Sequence, residues 1–598
     1  METTFNRRSA SRTRVPKSPQ RFGAWLTLCL ALVLICIPWK SIAAAPPADA
    51  LLETMQSELQ RAMASLAKAD PAPYYVSYAV TDSDTAAIAA SNGGLILSTR
   101  VRRRQADVTM HVGAAALDNT HGQSRASGLL SGLLPLDNDR DAVARVLWQL
   151  TNNEYERASS AFLRVKTNYQ VQSPEDDKSP DFSQESPQRH IDETRLPLTL
   201  EQKAWQDRIR KVSAEFLKFP EVYTSVVTLQ TGSGESYLAT SEGTAIVQPS
   251  AISRLVMQAE TRADDGMVLL RVESFEQPSL KNLPSESELV GKVDKMAADL
   301  KALRAAPAAE PYAGPALLSG RAAAVFFHEV LGHRLEGHRQ RDEREGQTFT
   351  KKVGELVLPS FLTVVDDPAM KELNGVKLAG NYDFDDEGMP AQRVVAVQDG
   401  VLKNFLMSRI PITGFAHSNG HGRAQEGFIP TGRQGNLIVT STKTVSDADL
   451  RQKFIDEIKS QGKPYGLYFE DIQGGFTLTA RAAPQAFEII PVMVWRVYAD
   501  GRPDELVRGT DIVGTPLLSL NKIILTGDKL ETFNGICGAE SGQVPVSASA
   551  PAMLFSEIEV QKSAKGAERP PILPPPGFGD TWADAAGKKT AEVIEAKP

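Results

Sequence analysis

The segment Val325-Phe326-Phe327-His328-Glu329-Val330-Leu331-Gly332-His333 constrains this chain more than any other. Two histidines and a glutamate sit in an apolar run that otherwise reads as a buried helix. Histidines at i and i+4 lie about 40° apart around a regular helix and can share one ion, whereas at i and i+5 they lie about 140° apart and cannot. His328 and His333 are five positions apart. If both serve one ion, the helix either carries an extra residue, as in a π-bulge, or breaks near His333. Gly332, directly before His333, makes that distortion cheaper. Two histidines do not close a catalytic zinc site, which needs a third protein ligand. The candidates are His338, Cys537 and a distant carboxylate. His338 lies in the polar run 334–345 and reads as a surface histidine.

The ends of the chain bear on Cys537. Arg7, Arg8, Arg12, Arg14, Lys17 and Arg21 form a basic leader, followed by an apolar run over 22–39 and the small residues Ser41-Ile42-Ala43-Ala44-Ala45. This is the pattern of a secretory signal, with cleavage expected after Ala43. An uncleaved anchor at residues 22–39 is the alternative. Of the three cysteines, Cys29 and Cys36 lie in that leader, which leaves Cys537 alone in an exported chain. It is then buried and inert, paired between chains, or held by a metal. Its setting, Asn534-Gly535-Ile536-Cys537-Gly538, has glycines that let the backbone turn sharply toward an ion. Removing 1–43 takes seven basic residues and one acid from totals of 66 and 73, leaving a charge of −13. An acidic exported protein is no nucleic-acid binder.

Periodicity divides the remainder. Residues 49–69 read as an amphipathic helix with Leu52, Met55, Leu59, Met63 and Leu66 on one stripe. Strand-like runs follow over 74–112, with Asn92-Gly93-Gly94 as a hairpin turn. Helices are expected over 139–165, 199–217 and 285–305, strands over 222–276, and a polar loop over 173–197. A linker fits 305–311. One helix around 320–338 is then followed by strands to about residue 560. The chain is expected to be α+β: a signal peptide at 1–43, an N-terminal helix-plus-antiparallel-sheet domain at 48–306, a β-rich C-terminal domain carrying the motif helix at 312–561, and a Pro-rich disordered tail at 562–598.

At the motif residues the sequence resembles the TldD/PmbA metallopeptidases, also known as modulators of DNA gyrase. Their hallmark His-Glu-x-x-x-His stands here as His328, Glu329 and His333, followed by Leu335-Glu336-Gly337. Asp385-Asp386-Glu387-Gly388, Asp399-Gly400, Val507-Arg508-Gly509-Thr510, the Cys537 segment and Gln543-Val544-Pro545-Val546 match in order over about 316–560. The resemblance implies one zinc ion per chain held by His328, His333 and Cys537, with Glu329 as the catalytic acid/base. It implies a two-part α+β fold and a homodimer, or a heterodimer with a related subunit, around an internal chamber. It also implies small or unfolded peptides as substrates. Retention of the motif marks an active subunit; the export signal departs from the cytosolic members and points to the periplasm or secretion. Two rival functions are an exported peptide-binding or scaffold subunit with a structural or empty metal site, and a hydrolase of non-peptide amides.

Several other features have plainer readings. Asp385-Asp386-Glu387-Gly388 reads as a solvated turn rather than a calcium site. Arg100, Arg102, Arg103 and Arg104 read as a solvated strand end. His417 and His421 fall in a Gly/Asn-rich loop and read as exposed. Gly432, Gly435 and the nearby strand are candidates for an exposed edge that would hold a peptide by strand addition.

Overall fold

A computed structural model describes residues 49–122, 128–169, 177–482 and 486–563. The leader, its cleavage site and nearly all of the Pro-rich tail lie outside the described residues. The chain is α+β, with two large sheets that each carry helices. Among the described residues no helix is long and apolar enough to cross a membrane.

The first sheet has eight strands. Its centre is antiparallel: Gly94–Ala114, Pro73–Ser91, Thr224–Thr240, Ala245–Arg262 and Val268–Gln277 lie side by side. Asn92 and Gly93 form the first hairpin turn, both with positive φ (50° and 77°), as an Asn-Gly turn requires. Alternation decides the faces. Val76, Tyr78 and Val80 join an apolar core with Leu51, Leu52, Met55 and Leu59 of the first helix, Ala50–Leu66. That helix starts where the Asp49 carboxylate accepts the N–H groups of Leu51 and Leu52. The helices Arg140–Tyr169, Gln202–Glu215 and Glu286–Ala305 follow the expected spans closely. The last begins at a reciprocal Ser285/Glu288 capping box.

The expected linker is not a free tether. The Arg508 carbonyl accepts from Ala309 N–H, and Arg508 N–H donates to the Pro307 carbonyl. The arginines 100–104 are not a strand end either. They lie within the strand Gly94–Ala114, and Arg104 is buried against Asp82 and the carbonyls of Pro135 and Asp137. Strand pairing sets Asp82 opposite Arg104, a register that composition cannot reveal.

The second sheet has twelve strands. Its spine is the long hairpin Ile523–Ala539/Gly542–Lys562. Tyr312–Leu318 pairs antiparallel with that second strand and parallel with Tyr465–Thr477. It leads directly into the motif helix Gly320–Val330, which starts where Ser319 Oγ accepts Ala322 N–H. Phe326 and Phe327 are fully buried beneath it, Phe326 edge-on to Phe487 and Phe555. The remainder is not all strand. Asp447–Ser460 is a helix capped by Ser446, and it buries Leu450, Phe454 and Ile458 at four-residue spacing. A short helix also spans Pro516–Leu520.

Arg409 binds the second half of the chain to the first sheet. Its buried guanidinium donates to both Glu242 oxygens (2.8 and 2.9 Å) and to the Ser183 carbonyl, and lies over the rings of Tyr75 and Phe182. Removing one member of a buried pair strands the other. Arg409→Met is expected to cost about 2–3 kcal/mol, since Glu242 keeps some solvent contact. Denaturant unfolding measures this, and an unchanged midpoint would refute the role.

Candidate metal centre

The motif helix ends at Val330, with Leu331 as its cap, and the chain re-enters a single 3-10 turn over Gly332–Arg334. This is the break that the five-residue spacing demands. Arg334 stabilises it. Its buried Nη1 donates to the carbonyls of Glu329 and Val330 (both 3.2 Å), which the helix end leaves without partners, and to Thr477 Oγ1 (2.7 Å). Burial lowers the Arg334 guanidinium to about 10. Gly332 has a different role from the one expected. A Cβ there would lie 1.9 Å from Gln434 Oε1, so close approach rather than backbone freedom calls for glycine.

The break rotates His333 back toward His328. Their ring centroids are 5.0 Å apart, at 74°. Cys537 reaches them from the strand Ile523–Ala539, with Sγ 3.4 Å from His333 Nε2. Ligand atoms of His328, His333 and Cys537 all lie within 4.8 Å of one another, and all three residues are buried. The glycines beside Cys537 make no sharp turn; the segment is regular strand paired with Gly542–Lys562. Glu329 is buried beside the three donors, its Oε2 3.9 Å from His333 Nε2.

The electrostatics fit a cation. Burial alone would raise the Cys537 thiol, but the imidazoles of His333 and His328 hold it well below its ordinary value. Burial would lower His333, yet Glu336 and Cys537 hold it well above, and His328 is raised by Cys537 and Glu329 against burial. The three groups thus favour the thiolate form of Cys537 and the protonated form of the rings, and a divalent ion bound among them would displace those protons. Two nitrogens and a thiolate suit zinc.

A polar shell fixes these donors. Glu336 is fully buried, and its Oε1 sits 3.0 Å from His333 Nδ1, leaving Nε2 to face Cys537. The Glu336 carboxyl would rise on burial, but His333 and Arg339 bring it down to about 2. Arg433 donates to the Cys537 carbonyl (2.9 Å), and Gln434 Nε2 lies 3.4 Å from the His328 carbonyl. Gly432 and Gly435, expected on an exposed edge, are buried in this same backing segment.

Other candidates fall elsewhere. His338 is buried, not on the surface, and pairs with Glu540. Glu336, His338 and Glu540 form a second cluster, but the Arg339 guanidinium already pairs with Glu336 and Glu540. His417 is exposed, whereas His421 is fully buried between Asn419 and Asp366. Asp385 is buried too, accepting the N–H groups of Glu387, Met389 and Gly422. That turn is structural scaffolding, with Gly388 at φ +81°.

The donors open onto a cleft of about 490 Å³. One wall is residues 472–477 and the other is 535–540. Among the described residues, no strand pairs with the second edge of 470–477 or of 530–539.

Residues 312–562 match the PmbA/TldA metallopeptidase C-terminal domain. Over that segment the chain is of the TldD/PmbA family. It is 30% identical over 233 residues to a metalloprotease of Archaeoglobus fulgidus, covering 39% of this chain and 49% of that protein. A metalloprotease TldD homolog of Haemophilus influenzae is 27% identical over 250 residues, covering 41% of this chain and 48% of the relative. The chain thus spans about half the length of these relatives. The fold match runs further. TldE from Thermococcus kodakarensis superposes with a TM-score of 0.55 at 14% identity, over 85% of this chain and all of that one. The TldD/PmbA fold therefore includes the first sheet, although the family's sequence model begins only at residue 312.

Glu336→Gln is expected to weaken zinc binding about 10–100-fold while the fold survives, because His333 loses its orienting carboxylate. Competition with a chromogenic chelator reads this; unchanged affinity would count against the shell.

Proposed function

We propose that this chain is a zinc-dependent peptidase acting on small or unfolded peptides. The observation that carries the reading is the convergence of His328, His333 and Cys537 beside a buried Glu329, at the floor of a cleft walled by two half-open strand edges. The metalloprotease names of its relatives support the same class.

His328 Nε2 or Nδ1, His333 Nε2 and Cys537 Sγ would hold the ion, with His333 oriented through Nδ1 by Glu336. When bound, zinc supplies Lewis acidity at the scissile carbonyl and makes water acidic near neutral pH. Glu329 would take the proton of the attacking water and return it to the leaving amine. Among the described residues no lysine or arginine pairs with its carboxylate, so it stays available as a base. A peptide laid between 470–477 and 530–539 can use backbone hydrogen bonds, which read no sequence and require an extended chain. That explains a preference for unfolded substrates.

The leader supports export, and the likeness to TldE supports a related subunit as dimer partner. Fractionation of the full chain and light scattering of the purified protein test these parts.

The central test compares three forms by metal analysis and by cleavage of casein and peptides. Glu329→Gln should retain zinc and lose about 10²–10⁴-fold in turnover. Cys537→Ser should lose zinc affinity and activity together. Full activity in Glu329→Gln, or zinc-free wild-type protein that cleaves peptides at the same rate, would defeat the reading.

A further inference from the structure

The cleft has a second end whose chemistry the catalytic reading does not use. Arg321, Val325, His328 and Glu329 all line it. Their spacing of four, seven and eight residues puts them on one face of the motif helix. Seven residues separate Arg321 from His328, about 10.5 Å along the axis. An extended peptide covers that in about three residues.

Arg321 is held in place. Its Nε donates to Asp471 Oδ1 (3.2 Å), and its guanidinium lies over the Phe533 ring at 4.9 Å. Among the described residues neither of its Nη groups has a hydrogen-bond partner. The helix N-terminus itself is already used, since the Arg321 backbone N–H donates to Glu531 (2.8 Å). Arg254 lies at the same end of the cleft and contacts Glu276 through Nε alone (2.9 Å). Burial pushes the Glu276 carboxyl up, against the pull of Arg254 and Arg321. The counter-ions stand behind. Glu276 and Asp471 do not line the cleft, and Asp471 is also held by Arg271 (2.8 Å). Among the described residues, the only carboxylates on the cleft wall are Glu329 and Glu540, at the metal end.

We propose that Arg321, aided by Arg254, is a specificity site that binds a substrate carboxylate about three residues from the scissile bond. Two unengaged Nη groups on a braced planar guanidinium match a carboxylate. The carboxylate can be an Asp or Glu side chain or the C-terminus of a short peptide. This inference rests on the peptidase reading, and the experiment separates the two.

The cut in a neutral peptide is first mapped by mass spectrometry. KM is then measured for pairs differing by Glu or Gln at each of four positions on either side, and for pairs ending in a free acid or an amide. The acidic member should show about tenfold lower KM at roughly the third position, with kcat little changed. A gain confined to the Glu/Gln pairs assigns the side chain; one confined to the acid/amide pairs assigns the terminus. Arg321→Met should collapse the ratio toward one, and Arg321→Lys should keep part of it. Asp471 retains Arg271 in both variants, so both should fold. Equal KM values in every wild-type pair, or a ratio that survives Arg321→Met, overturns the proposal. Calorimetry of the same peptides with zinc-loaded Glu329→Gln protein covers absent turnover. Acid-selective binding without cleavage by the wild type would sink the peptidase reading and leave the carboxylate site standing; binding blind to charge would sink the site.

Discussion

A single buried guanidinium makes the convergence of His328, His333 and Cys537 possible. Arg334 sits under the last carbonyls of the motif helix and also holds Thr477, the last residue of the facing strand, and the carbonyl of Leu478 just beyond it. Without it, ending the helix at Val330 would leave the buried carbonyls of Glu329 and Val330 unsatisfied, at about 1–3 kcal/mol each. With it, the backbone can leave the helix one residue after Val330 and swing His333 round to His328. The same contacts fasten the helix to one wall of the cleft, so the donors and that wall share an anchor.

Around that anchor, charge is balanced at short range among buried side chains. Glu336 serves His333 and Arg339 together, Arg339 also meets Glu345 and Glu540, and Arg433 holds the carbonyl of Cys537. Glu336, Arg339 and Glu540 thus each meet an opposite charge, which burial in low dielectric favours. The result is a stiff frame behind the ligands, and Glu329 is left outside its arginine pairs.

Much of this organisation was legible from local pattern. The helices over 50–66, 140–169, 202–215 and 286–305 follow from their apolar stripes, and the Asn92-Gly93 turn from its residues. The helix Asp447–Ser460 was legible and overlooked: Leu450, Phe454 and Ile458 carry its period, and Ser446 its cap. Burial of polar residues was not legible. Arg104, His338, His421 and Asp385 all read as solvated, and each is buried because a partner distant in sequence, or backbone N–H groups of a neighbouring loop, satisfies it. A polar side chain's own neighbourhood in sequence carries no record of such partners.

The sequence by itself determined that a helix bearing His328 and His333 must break between them if the rings are to meet, because the angle per residue is set by covalent geometry. It also placed Cys537 as the one cysteine outside the expected leader. Only the tertiary structure decided that this thiol, 204 residues on, lies beside those rings, and that Arg334, Glu336 and Arg433 hold the arrangement. Strand register across the long hairpin, fixed by the packing of the whole sheet, sets where Cys537 points; no local propensity encodes a contact across such a distance.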